Sequence, residues 1–228
     1  MVMGRGAARL PVLALLSALL LVGSLVAFHM SAAADNARHC ARHARDSADR
    51  AALDTGSGRP VVVIGDSYAV GLGLDHLERS WASQLPGRVH VAGFSGSGFS
   101  AGASECGAVS FADRAAQAVR GHSGLVVVQG GLNDFDQSDA QIASGFVQLM
   151  EELEGRDVVV VGPVTAPSRA GAVPRVDRLL ARLARASGTP YLRASRLDLP
   201  YSDDRLHLTP AGHRMLGQYV VRWLARLP

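Results

Sequence analysis

Five short apolar runs, rich in β-branched residues, constrain this chain more than anything else in it: Val61 to Ile64, Val89 to Phe94, Leu125 to Gln129, Val158 to Val161 and a weaker Tyr191 to Ala194. Helix-compatible stretches separate them, and that alternation predicts a parallel sheet with crossover helices. Val158-Val159-Val160-Val161 has no polar face, as expected of a strand covered by helices on both sides. The last helix is the most sharply marked, with Thr209 as N-cap, Pro210 in the first turn, and Leu216, Tyr219, Val220, Trp223 and Leu227 at helical spacing. In open parallel sheets ligands sit beyond the carboxyl ends of the strands, so the residues following each run are the first place to look for chemistry.

Those residues form a pattern. The first run ends in Gly65-Asp66-Ser67, the second in Gly93-Phe94-Ser95-Gly96-Ser97-Gly98, and the third in Gly130-Gly131-Leu132-Asn133-Asp134. A serine carried from a buried strand into a tight turn is held rigidly with its hydroxyl outward, as a nucleophile must be. The same serine would also serve as an N-cap for the next helix. Near the C-terminus Asp204 and His207 stand three residues apart, just before the final helix. A base and an acid to orient it thus share one loop. Acyl transfer requires a nucleophile, a base, an orienting acid and donors for a developing oxyanion, and each has a candidate here.

Composition removes several alternatives. All 23 basic residues are arginine, so lysine Schiff-base chemistry and the Walker phosphate loop are excluded. The formal charge is +3, but the arginines are scattered among 20 acidic residues with no basic stripe, which argues against nucleic acid as a partner. His39 and His43 are spaced for one helix face but lack a third ligand, so no metal and no cofactor is expected.

Residues 1–34 differ from the rest: Arg5 and Arg9 precede the uncharged stretch Leu10 to Phe28, and Ala32-Ala33-Ala34 follows. This reads as an export signal or, at 19 apolar residues, as an uncleaved membrane anchor. The protein is therefore expected to be secreted or held on the outer face of the cell membrane. Residues 35–58 read as a linker, a short helix plus a flexible joint, and residues 59–228 as the catalytic domain. The chain has two cysteines, Cys40 and Cys106, and in an exported protein that pair predicts a disulfide.

The four blocks together give the chain a close resemblance to the SGNH (GDSL-type) hydrolase family. Gly65-Asp66-Ser67 matches the nucleophile block, Gly96 the glycine block, Gly131-Leu132-Asn133-Asp134 the third, and Asp204-x-x-His207 the fourth, in the family's order. The resemblance implies a flavodoxin-like three-layer α/β/α sandwich around a five-stranded parallel sheet, and hydrolysis of carboxylic esters, lipids and acetylated sugars among them. It also implies a triad of Ser67, His207 and Asp204, with an oxyanion hole formed by the backbone N–H groups of Ser67 and Gly96 and the side chain of Asn133. Asp66 and Asp134 read as structural, ordering their turns. Two positions depart from the family's pattern: Tyr68 stands where many members carry leucine, and Val91 where an asparagine is frequent.

Other readings compete. Gly98-Phe99-Ser100-Ala101-Gly102 fits the nucleophile elbow of α/β-hydrolases, but the strand before it ends near Phe94, too early to present Ser100. Acyl transfer to an envelope glycan would use the same triad, and a glycan-binding protein could keep the fold without the chemistry. The expected partner is a small-molecule or glycan ester, the expected state a monomer, with Tyr68, Phe99 and Phe135 as candidate walls of the substrate pocket. The rim loop Pro163 to Pro174 carries Thr165, Ser168 and Arg169, and no insertion is large enough for a lid, which favours small acyl groups such as acetyl over long-chain lipid.

Overall fold

Alternation along the strands builds the core. In β1 (Pro60–Gly65) Val61 and Val63 point to one face of the sheet and Val62 and Ile64 to the other, and all four are buried. The computed structural model of the protein describes residues 9–227. Beside β1 lie β2 (Arg88–Gly93), β3 (Leu125–Gln129), β4 (Val158–Val161) and β5 (Tyr191–Leu192), all parallel, in the order β2-β1-β3-β4-β5. Gly65 is level with Gly93 on one side and with Gln129 on the other, so β1, β2 and β3 end on a common line.

Helices cover both faces. The Val61 face packs against α6 (Pro210–Leu224) and the 3₁₀ turn Trp81–Gln84, with Trp81, Leu208, Leu216 and Val220 buried there. The Val62 face packs against α3 (Phe111–Ala118), α4 (Asp139–Glu152) and α5 (Val173–Ala186), through Phe111, Ile142, Phe146, Leu149 and Leu180. Capping boxes at Ser110/Asp113 and Ser138/Gln141 start α3 and α4, and the Thr209 side chain accepts the Gly212 N–H to start α6. A short α2 (Ser67–Val70) follows β1 directly.

The chain divides into two compact units, Met1–Ala41 and Arg42–Pro228. Helix α1 runs Arg9–Ala51. Of residues 35–58, expected as a linker, 42–58 belong to the second unit. Ser47 Oγ donates to Gly93 O at 2.5 Å, the buried Arg50 donates to Leu53 O at 2.6 Å, and Thr55 pairs with Val89. A polar composition misleads here because an amphipathic helix end and one extra β-bridge bury little apolar surface. Of the expected leader, residues 1–8 with Arg5 lie outside the described residues, as do most side chains of the stretch Leu10 to Phe28. Among the described residues no helix is long and apolar enough to cross a membrane. Neither cysteine is free: Cys40 and Cys106 are disulfide-bonded.

One buried ionisable group makes stability depend on pH. His213 is fully enclosed, its Nδ1 accepts the Trp81 N–H at 3.2 Å, and its Nε2 has no partner among the described residues. Burial, reinforced by His207, pushes the imidazole down to about 4. Above pH 6.5 the ring is neutral folded or unfolded and contributes nothing. Between about 6.5 and 4 only the unfolded chain takes the proton, so stability is lost as pH falls, reaching about 3 kcal/mol. Asp66 and Asp134, buried and pushed up to about 7 and 6, oppose this trend, so it is best isolated by difference. His213→Asn keeps an acceptor for Trp81 and does not titrate. In urea unfolding at pH 7 and pH 4, the wild type should lose about 3 kcal/mol more than the variant; equal losses would refute the assignment.

Candidate active site

The turn after β1 is built around Asp66. Its carboxyl is buried and accepts the Tyr68 N–H at 2.9 Å, capping α2 and setting Ser67 at the first helical position. Burial pushes Asp66 up to about 7, against the pull of that bond and of Arg169 and Arg114. Ser67 is 7% exposed, on the line where β1, β2 and β3 end.

The loop ahead of α6 is ordered by a second aspartate. Asp204 Oδ1 accepts the N–H groups of Leu206 and His207, both at 2.9 Å, while Oδ2 lies 2.6 Å from His207 Nδ1. An ionised carboxylate only accepts, so Nδ1 carries a proton, and in the neutral ring that leaves the lone pair on Nε2. Desolvation pushes the Asp204 carboxyl up, but the two N–H bonds and the imidazole outweigh it and hold the group below the usual carboxylate range. Between the two residues Arg205 takes a left-handed backbone, φ 57°, the sole non-glycine case among the described residues. That conformation turns both N–H groups onto one oxygen and is the kind of local strain that functional loops store.

Tyr68 joins the two loops. Its hydroxyl donates to Leu206 O, and its ring meets those of His207 and His213 edge-on at 6.3 and 6.1 Å. The residue is 2% exposed, so it is a post between the Ser67 turn and the His207 loop and not the substrate wall expected of it. A leucine could pack there but could not make that bond.

Gly96 has φ +84°, and Ser104 Oγ lies 3.8 Å from where a Cβ would stand, an ordinary contact, so glycine is required by conformation and not by crowding. The next residue, Ser97, presents its carbonyl to Asn133 Nδ2 at 2.8 Å, which brings the glycine and asparagine blocks together. Asn133 Oδ1 accepts from Arg169 Nη1 at 2.5 Å, and the same nitrogen reaches Leu132 O at 3.1 Å. Asp134, pushed up to about 6 by burial, accepts the N–H groups of Phe99 and Ser100 at 3.0 and 2.7 Å.

Phe99 is 0% exposed and packs against Phe111 and Phe146, with centroids at 4.9 and 5.7 Å. It belongs to the core, which corrects its expected place in a substrate pocket. Phe135 is 39% exposed, lies two residues past Asn133, and has the Arg169 guanidinium 4.4 Å above its ring. Ser100 caps a 3₁₀ turn, accepting from Gly102 N and donating to Gln137 Oε1, each at 3.1 Å. Its hydroxyl is occupied.

Sequence reasoning missed Arg114. From α3 this half-buried side chain donates to Gly65 O at 3.1 Å, Val109 O at 3.0 Å, Ser97 Oγ at 3.0 Å and Ala92 O, pinning the ends of β1 and β2 to the Gly96 loop. Burial lowers it to about 10, so it stays charged at neutral pH. Nothing in the local pattern Phe111-Ala-Asp-Arg114 distinguishes it from a surface arginine of an amphipathic helix. Among the described residues no group of three or more His, Cys, Asp or Glu side chains could hold a metal ion. A cavity of about 1070 Å³, lined by Arg59, Leu125, Asp157 and Leu224, opens where the strands begin and touches none of the candidate residues.

Residues 63–215 match the model of the GDSL-like lipase/acylhydrolase family. No curated protein matches the sequence. Among solved structures, an aryl esterase of M. smegmatis superposes with a TM-score of 0.58 at 19% identity, covering 75% of this chain and 100% of that one. A carbohydrate acetylesterase from Sinorhizobium meliloti gives a TM-score of 0.59 at 19% identity, covering 74% and 99%. A family two carbohydrate esterase from Clostridium thermocellum, solved with cellohexaose, gives 0.59 at 15%, covering 75% and 64%. At such identities the likeness shows a shared fold.

Proposed function

The chain belongs to the GDSL-like lipase/acylhydrolase family and is a carboxylic ester hydrolase, and from that premise we propose that it is an exported serine esterase acting on small acyl esters through Ser67, His207 and Asp204. The observation that carries this reading is the Asp204–His207 pair at 2.6 Å, in a loop that Tyr68 fastens to the Ser67 turn. Ser67 Oγ attacks the acyl carbon while His207 Nε2 takes its proton, and the imidazolium is held by Asp204 through Nδ1–H. The carbonyl oxygen, now an anion, receives the N–H groups of Ser67 and Gly96 and the second N–H of Asn133 Nδ2, the first being engaged by Ser97 O. Collapse of the tetrahedral intermediate expels the alcohol with the proton from His207. Water then repeats the sequence on the acyl-enzyme, releasing the carboxylic acid and free Ser67.

Small acyl groups are favoured because the loops around Ser67 are pinned. Arg175 Nη2 donates to Phe135 O at 3.2 Å and Gln137 O at 2.9 Å, and Arg169 stacks on Phe135, so neither the segment after Asn133 nor the one after β4 is loose enough to open over a long chain. Export is supported by the apolar N-terminal segment and by the oxidised cysteine pair. The test is a series of p-nitrophenyl esters from acetate to palmitate, run beside acetylated xylan and peptidoglycan. Catalytic efficiency should be highest at acetate and fall as the acyl chain lengthens. A maximum at palmitate would overturn the small-acyl reading.

A further inference from the structure

An asparagine amide serves an oxyanion only if its nitrogen, not its oxygen, faces the reacting carbonyl, and the two ends are nearly the same size. Something must therefore fix the orientation. On one side Ser97 O can only accept, so it selects Nδ2, at 2.8 Å. On the other side Arg169 Nη1 can only donate, so it selects Oδ1, at 2.5 Å. Arg169 is itself held in place, because the same nitrogen donates to Leu132 O at 3.1 Å and the guanidinium lies on the Phe135 ring at 4.4 Å. Among the described residues no carboxylate lies within ion-pair distance of it; Asp66 and Asp136 act on it only through space, and the side chain its Nη1 hydrogen-bonds is the Asn133 amide. Burial lowers its basicity yet leaves it charged.

The geometry points to Arg169 as the positioning residue of the oxyanion hole: it locks the Asn133 amide with its N–H toward the substrate and polarises it into a stronger donor. A charged donor on Oδ1 draws electron density from the amide nitrogen, which strengthens the bond Nδ2–H makes to an anion. The same loop reaches the base, since Ser168 N donates to Arg205 O at 3.0 Å. One segment after β4 thus braces the oxyanion donor and the His207 loop together.

This inference rests on the oxyanion role proposed for Asn133, and a double-mutant cycle separates the two. With p-nitrophenyl acetate and the full-length protein, Asn133→Ala should lower kcat about a hundredfold. Arg169→Met should lower kcat about tenfold or more with KM within about twofold, because an amide held by Ser97 O alone, with Oδ1 released, is less well aimed and less polarised as a donor. In the Asn133→Ala background Arg169→Met should cost nothing further. Arg169→Lys, which keeps the charge but not the planar stacked fork, should recover part of the loss. If Arg169→Met does not fold, Arg169→Gln takes its place in the cycle. Losses that multiply in the double variant, a loss carried by KM, or an unchanged kcat would overturn the positioning role alone. An unaltered kcat in Asn133→Ala would instead strike the oxyanion reading beneath it.

Discussion

Ser67→Ala should lower kcat by about ten-thousand-fold or more, with KM nearly unchanged and the melting temperature within a few degrees of wild type. The size follows from the nucleophile role proposed for the residue: without Oγ no acyl-enzyme would form, and only binding and the proposed oxyanion donors would remain to assist attack by water. The fold should survive because Ser67 contributes little packing and its turn is set by others. Asp66 caps α2, Gly71 closes it with φ 89°, and Arg114 holds Gly65 O. A fluorophosphonate probe should label wild type at Ser67 and leave the variant unlabelled. Mass spectrometry finding the adduct on Ser100 would defeat the assignment, although that hydroxyl already bonds Gln137 and Gly102.

The elements legible in the sequence are those whose cause is local. The Val-rich runs of β1, β3 and β4 became strands because β-branched residues apolar on both faces have few other places to go, and Thr209-Pro210 started α6 because N-cap and first-turn preferences act within four residues. Asp204 and His207 are close in sequence, so their pairing at 2.6 Å needs only one turn of chain. Gly96 and Asn133 were legible as residues standing at strand ends, where a parallel sheet lines up its loops. What stayed hidden depends on side-chain direction or on distant contacts. Phe99 and Phe135 both sit beside a catalytic block, yet one points into the core and the other to the surface, and neighbourhood in sequence does not record which. Arg114 and Arg169 act across 49 and 36 residues of chain, by donating to carbonyl and amide oxygens that every loop offers. Tyr68 shows the same limit: a departure at one position made sense only once Leu206 O was found above it.

Asp204→Asn should be nearly as damaging as losing the nucleophile, with kcat down by about a thousandfold or more and KM little changed. The substitution is almost isosteric, so the reason lies in hydrogen-bond direction. Two backbone donors, the N–H groups of Leu206 and His207, converge on Oδ1 at 2.9 Å each, and only the oxygen of an asparagine can accept them. The amide nitrogen is then forced into the place of Oδ2, facing His207 Nδ1 across 2.6 Å in the wild type. A donor there requires Nδ1 to accept, which moves the ring proton to Nε2. In that tautomer the imidazole has no lone pair to take the proton from Ser67, so the base is lost while the loop keeps its shape. Asp204→Ala removes the forced tautomer but also leaves the two N–H groups unpaired, so it should cost stability as well as rate. Nitrogen-15 NMR of the His207 ring reads the tautomer directly. A variant that keeps its proton on Nδ1, or that turns over within about tenfold of wild type, would show that Asp204 does not orient the base.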